Sequence, residues 1–211
     1  MSWFPLSTAV DRIMPKEAFY KRLILSAEVK EKFVTDIKRI TLTNSLTATT
    51  LNIEPGKEVS EILILTVALK KQEFDGRIIG NIARQNKHQL LFLLHYEDKV
   101  QLAVYYGKLY TTEWTLLDNL QIAVKGYTLD DVWHSFLEQI AINTAECKLQ
   151  ITALGIDQRL ARQEALRKLQ REVEKLEKLT RGEKQPRKKF ELYQKMQELK
   201  KKLEELTHGQ A

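Results

Sequence analysis

The feature that most constrains this chain is a pair of apolar repeats near its C-terminus, separated by a helix-breaking turn. In both repeats, apolar residues alternate three and four positions apart, which is the spacing of a helix with one buried stripe. The repeats are Leu166, Leu169, Val173 and Leu176, followed by Leu192, Met196, Leu199, Leu203 and Leu206. A short amphipathic helix is only marginally stable alone in water. The break at residues 181–186, which holds Gly182 and Pro186, therefore predicts an antiparallel helical hairpin over residues 157–206.

The net charge of the chain is concentrated in this segment. Residues 157–206 carry 16 Lys and Arg against 10 Asp and Glu, whereas residues 1–156 balance at 18 against 18, so the formal charge of +6 belongs to the hairpin. The excess gathers at the predicted turn, in Arg181, Lys184, Arg187, Lys188 and Lys189. A basic tip favours contact with phosphates or with an acidic protein surface, although solvated loop ends show the same pattern.

The repeats leave two pairings open, because 3-4 spacing fits a hairpin closed within one chain and a homodimer formed between two chains. Once the hairpin is set aside, the remaining length is enough for one hydrophobic core. We therefore expect an α+β globular domain over residues 1–156 and a basic coiled-coil hairpin over residues 157–211.

Within the body, the apolar patterns predict alternating helices and strands. The predicted order is a helix from residue 15, a helix over 26–40, a strand over 41–53, a strand over 61–71, a helix over 74–85, a hairpin of strands 90–96 and 100–106, a strand over 120–124, and a helix from residue 128. The segment 61–71 is short, rich in β-branched residues and continuously apolar, which is typical of a central strand covered on both faces. This order predicts an α+β fold with a mostly antiparallel sheet, flanking helices and one central β-α-β passage.

Familiar catalytic and metal-binding patterns are missing from the sequence. His88, His95, His134 and His208 are scattered, and no P-loop, G-x-G-x-x-G or G-x-S-x-G motif occurs. We therefore expect no metal and no cofactor. The single cysteine, Cys147, is expected to be an ordinary helix residue of a protein in a reducing, cytoplasmic compartment. No apolar run reaches the ~18 residues of a membrane span, so we expect no membrane contact.

One enzyme class survives this search, because the order of helices and strands resembles the layout of restriction-type nucleases. Their sites hold a metal ion with two carboxylates, the second of which lies two positions before a lysine. Here Lys70 ends the central strand, but Ala68 occupies the position of that second carboxylate. Glu58, Glu61 and Asp75 lie nearby, and solvated edge charges are the simpler explanation for them. A divergent metal-dependent nuclease remains the alternative function.

Five stretches of the chain resemble a bacterial domain family of unknown function. They are residues 14–20 (MPKEAFY), 61–70 (EILILTVALK), 112–114 (TEW), 129–136 (LDDVWHSF) and 183–192 (EKQPRKKFEL). The resemblance implies a context, since members of that family are typically encoded beside a helicase and an adenine-specific DNA methyltransferase in restriction or anti-phage defence loci. It implies no catalytic residues.

Together, these observations favour a non-enzymatic accessory subunit over an enzyme. The resemblance implies a helicase or a DNA methyltransferase from the same locus as the protein partner. We expect the hairpin to dock that partner through its apolar seam, and the basic tip to contact DNA.

Overall fold

The computed structural model describes residues 3–142 and 155–208. It confirms the α+β fold: a mixed sheet with helices around it, followed by two helices that pack as a hairpin. By its contacts, the chain divides into two compact units, Met1–Ala141 and Ile142–Ala211. Cys147 lies outside the described residues, and the predicted boundary after residue 156 stays a prediction.

The sheet belongs to the first unit. Its strands are β1 (Ala9–Met14), β2 (Ile37–Leu46), β3 (Ile62–Leu69), β4 (Gln89–Tyr96), β5 (Lys99–Tyr106), β6 (Lys108–Thr111) and β7 (Thr115–Leu116). The helices are α1 (Lys16–Arg22), α2 (Ala27–Asp36), α3 (Ala48–Leu51), α4 (Gly76–Arg84), α5 (Leu129–Ala141), α6 (Ile156–Gly182) and α7 (Pro186–His208). Strands β1 to β6 follow sequence order across the sheet, and β7 pairs with β5. Every pair is antiparallel except β3 with β4, which α4 connects.

Strand β3 lies at the centre of the sheet and is covered on both faces, as its apolar run predicted. Leu65 and Val67 point to one face, where they share a buried core with apolar residues of α2 and α4. Ile64 points to the opposite face, called the second face below, and is fully buried there. Part of the cover on that side comes from Phe4, whose ring stands at 88° to that of Phe136 in α5, with 6.2 Å between centroids.

The predicted helix over residues 26–40 is wrong over its last four residues, and the predicted strand over 41–53 is displaced. Helix α2 ends at Asp36 and β2 begins at the next residue. One core fully buries Phe33, Ile37 and Ile40. Their spacing therefore predicted burial correctly, but Phe33 lies in a helix and the other two residues lie in a strand. Strand β2 stops at Leu46 because Thr47 caps α3, accepting a hydrogen bond from the Thr50 N–H at 3.1 Å.

Two further differences concern the edges of the sheet. The predicted strand over residues 120–124 is wrong: this segment is irregular, and the side-chain amide of Gln139 bonds both backbone groups of Ala123, at 2.8 and 2.9 Å. Strand β1 was not predicted, because it is an exposed edge strand whose pairing is interrupted by a bulge at Asp11, where φ is 49°. The helix predicted from residue 128 is confirmed as α5, and at its start Thr128 and Asp131 exchange hydrogen bonds of 3.0 and 3.1 Å.

A buried carboxylate fixes the direct passage from α2 into β2. Asp36 is 1% exposed, and its side chain accepts hydrogen bonds from the Thr35 hydroxyl at 2.8 Å and the Asp75 N–H at 3.1 Å. The Lys71 ammonium lies 2.9 Å from the same carboxylate. Burial alone would raise the pKa of Asp36, but these contacts with Lys71, Thr35 and Asp75 outweigh it and lower that pKa. Asp36 thereby joins the end of α2 to the loop between β3 and α4.

Replacing Asp36 by alanine should destabilise the body. We expect Asp36→Ala to lower the free energy of unfolding by about 2 kcal/mol at neutral pH, because the Asp75 N–H loses its partner. Since the pKa is lowered in the folded state, this stabilisation is present above the ordinary carboxyl pKa and is lost as pH falls below about 4. Urea unfolding at pH 7 and pH 3 measures the difference. Asp118→Ala, at an exposed site, is the control and should change little.

Candidate interface at the tip of the helical hairpin

The predicted helical hairpin is confirmed, because α6 and α7 pack against each other within one chain. Gly182 ends α6, and Pro186 begins α7, where a missing N–H is tolerated. The short connection is held by Glu183, whose carboxylate accepts the Gln185 N–H at 2.9 Å. Among the helices of the described residues, none has the length and apolar composition required to cross a membrane.

The apolar repeats form the seam between the two helices. Leu166, Val173 and Met196 are buried. The other predicted seam residues are half-buried: Leu169, Leu176, Leu192, Leu199, Leu203 and Leu206. Beside the seam, Lys200 pairs with Glu177 at 2.7 Å, and this partner lowers the pKa of Glu177. The Arg162 guanidinium also donates to the carbonyl oxygen of Leu206. The seam is thus occupied within the chain.

The five predicted basic residues lie together around the turn, and all are exposed: Arg181, Lys184, Arg187, Lys188 and Lys189. Among the described residues, the one ion pair that this group makes joins Arg187 to Glu191 at 3.6 Å. The Arg187 side chain is 94% exposed, so that pair is weak and easily exchanged for another anion. Most of the positive charge at the tip is therefore available to a ligand.

Two exposed aromatic residues adjoin this charge, and sequence reasoning missed them. Phe190 is 61% exposed and Tyr193 is 48% exposed, and they lie three positions apart on one face of α7. Both fall outside the apolar repeat that includes Leu192 and Met196. Because the repeat predicts the buried face of the helix, aromatic residues outside it were the sequence signal for an exposed aromatic surface. Large exposed aromatic side chains are typical of interaction surfaces. We call Phe190, Tyr193 and the five basic residues the tip surface.

The structure places the nuclease candidates Glu61 and Lys70 at opposite ends of β3. Glu61 precedes the strand and Lys70 follows it, so that about 30 Å of extended chain separates them. The Glu61 carboxylate accepts a hydrogen bond from the Ser45 hydroxyl at 2.5 Å and lies 3.3 Å from Nδ1 of His88. The Lys70 ammonium donates to the carbonyl oxygen of Val34 at 3.0 Å. Glu61 and Lys70 therefore cannot act on one substrate atom.

The remaining two candidates have structural contacts of their own. Asp75 caps α4 and pairs with Arg77 at 2.6 Å, a contact that lowers the pKa of Asp75. Glu58 is exposed, and its N–H donates to Asp130 at 3.2 Å. Within the described ranges, no group of three or more His, Cys, Asp or Glu side chains could hold a metal ion. The structure brings no metal-dependent site together from these residues.

Comparison with known proteins assigns the chain to a family. A family model described as a domain of unknown function, DUF4391, matches residues 3–203, and the chain belongs to that family. The match covers both the sheet and nearly the whole hairpin, so it spans both units. Neither curated proteins nor solved structures give a match.

The tip surface should bind nucleic acid through its charge. In a variant with Arg187, Lys188 and Lys189 replaced by Glu, we expect weaker binding to duplex DNA. The slope of log affinity against log salt should fall by roughly 0.9 for each phosphate contact that is lost. Fluorescence anisotropy over a salt series measures this slope.

The matched control replaces Lys195, Lys201 and Lys202 by Glu. It makes the same change in net charge on exposed positions of the same helix, away from the turn. Equal slopes for the two variants would show that net charge, and not the tip, attracts the DNA.

Proposed function

We propose that this protein is a non-enzymatic accessory subunit of a helicase and DNA-methyltransferase complex in restriction or anti-phage defence. The carrying observation is a hairpin that satisfies its own apolar seam and yet exposes aromatic and basic residues at its tip. Because α6 and α7 pack on each other, the residues around their turn form one surface. We propose the helicase and the methyltransferase as partners because the family that the chain resembles is typically encoded beside them.

The two chemistries of the tip surface suggest two contacts. Phe190 and Tyr193 offer flat apolar area of the kind that forms the centre of protein interfaces. The cations at and beside the turn suit phosphate groups, which they attract over about 8 Å at physiological salt. We therefore propose that the outer face of α7 docks the protein partner while the turn contacts DNA. This differs from docking through the seam, whose residues are already packed.

Loss of the aromatic residues should release the partner. Co-expression of the tagged protein with the helicase and methyltransferase of its locus, followed by affinity purification, should recover both neighbours with the wild-type protein. Phe190→Gln combined with Tyr193→Gln should reduce that recovery by about tenfold or more, because aromatic anchors commonly contribute ~2 kcal/mol or more to binding.

The control for this experiment is Gln194→Ala combined with Gln197→Ala, two exposed polar positions on the same helix. It should leave the recovery of both neighbours unchanged. If the wild-type protein recovers neither neighbour, the accessory role is wrong. Unchanged recovery with the aromatic variant would place the docking surface elsewhere on the chain.

The non-enzymatic part of the proposal has its own test. We expect no plasmid cleavage by the protein with magnesium or manganese, alone or with its partners, because Glu61 and Lys70 are held far apart. Cleavage that requires a metal ion and is lost in Lys70→Ala would instead establish the nuclease alternative.

A further inference from the structure

The second face of the sheet carries a polar row where most of its neighbourhood is apolar. Strand register places Arg39 opposite Ala68, and Ala68 opposite His95. The next residues along these strands, Ile40, Val67 and Leu94, belong to the core on the other face, so the row Arg39, Ala68, His95 faces away from that core. Neighbouring strands lie about 4.8 Å apart, which puts roughly 10 Å between the Cα atoms of Arg39 and His95.

This row lines one wall of an open cavity of about 260 Å³. The small side chain of Ala68 leaves space between the guanidinium of Arg39 and the imidazole of His95. Thr41, Thr66 and Trp3 line the same cavity. The one charged group of this lining is the Arg39 guanidinium, and the lining contains no carboxylate. Such a lining suits an anion.

The Arg39 and His95 side chains are free to meet a ligand. Among the described residues, neither the Arg39 guanidinium nor the His95 imidazole makes a hydrogen bond or an ion pair. Arg39 is exposed and His95 is half-buried, and both line the cavity. A guanidinium with no internal partner is suited to pair with the two oxygens of a phosphate.

An adjacent cavity of about 230 Å³ extends the recognition surface. It shares Trp3, Thr66 and Leu93 with the first cavity and adds the side chains of Asp11 and Asn44. The ligand surface thus has Arg39 and His95 at one end, the indole of Trp3 where the two cavities meet, and the carboxylate of Asp11 in the second cavity. A phosphate, a flat ring and a hydroxyl or amino donor would match these three features in the same order.

We propose that this face of the sheet binds a nucleoside monophosphate, with its phosphate between Arg39 and His95 and its base against Trp3. A nucleoside monophosphate has two sources with the same chemistry: a free nucleotide, and the 5′-phosphorylated end of a nucleic-acid strand. The site belongs to the first unit alone and is independent of the tip surface.

Calorimetric titration of the full chain tests this site. The probes are deoxyadenosine 5′-monophosphate, deoxyadenosine, and a ten-nucleotide strand with or without its 5′-phosphate. Binding should require the phosphate, and it should weaken by about tenfold in Arg39→Gln, because one charge-assisted contact is lost. Lys38→Gln, an exposed cation on the same strand, is the control and should bind like the wild type.

A second variant, Ala68→Leu, fills the cavity without changing the charge and should also prevent binding. Circular dichroism checks that each variant is folded, and quenching of Trp3 fluorescence, absent in Trp3→Phe, locates the ligand. Tighter binding of the strand with its 5′-phosphate than of the same strand without it, lost in Arg39→Gln, supports a strand end as the source. Binding of the mononucleotide with no difference between the two strands supports a free nucleotide. The proposal is overturned by no binding of either phosphorylated probe at millimolar concentration, by equal binding of deoxyadenosine, or by equal weakening in Lys38→Gln.

Discussion

Burial of strand β3 on both faces is the constraint on which the rest of the body depends. A strand with apolar residues on both sides needs neighbours along both edges and cover above and below. Helix α4 connects β3 to its parallel neighbour β4 and, together with α2, covers one face, and α5 with Phe4 covers part of the other. Because β3 is extended and buried, it holds Glu61 and Lys70 apart at its two ends.

The elements that could be predicted from sequence are those in which one local signal dominates. The central strand, the β4 and β5 hairpin, the cap of α5 and the helical hairpin all follow from short apolar patterns or turn residues. The boundary between α2 and β2 could not be predicted in this way. Phe33, Ile37 and Ile40 have helical spacing, yet they meet in one core because the chain changes direction at Asp36, whose partners Lys71 and Asp75 come from a distant loop. Only the folded chain brings those partners together.

The candidate sites divide in the same way. The basic residues of the tip were predictable because they are contiguous in sequence, and their position at the turn follows from the hairpin. Phe190 and Tyr193 required a comparison with the seam register. The cavity between Arg39 and His95 could not be predicted, because it depends on strand register and on the small size of Ala68 between two side chains that are remote in sequence. Ala68 lacks the carboxylate that a metal site would need at this position. Its small side chain leaves the space that we propose for the anion.

The distribution of charge gives the two surfaces different physical roles. The body carries no net charge over residues 1–156, so an anion is not drawn to the sheet by a general field and must be recognised by local geometry. The tip surface is exposed and strongly basic, so its attraction acts at longer range and is screened by salt. Contacts inside a partly enclosed cavity are screened much less. If both surfaces meet the same nucleic acid, the tip surface increases the rate of encounter and the second face of the sheet supplies chemical selectivity. Neither property can substitute for the other.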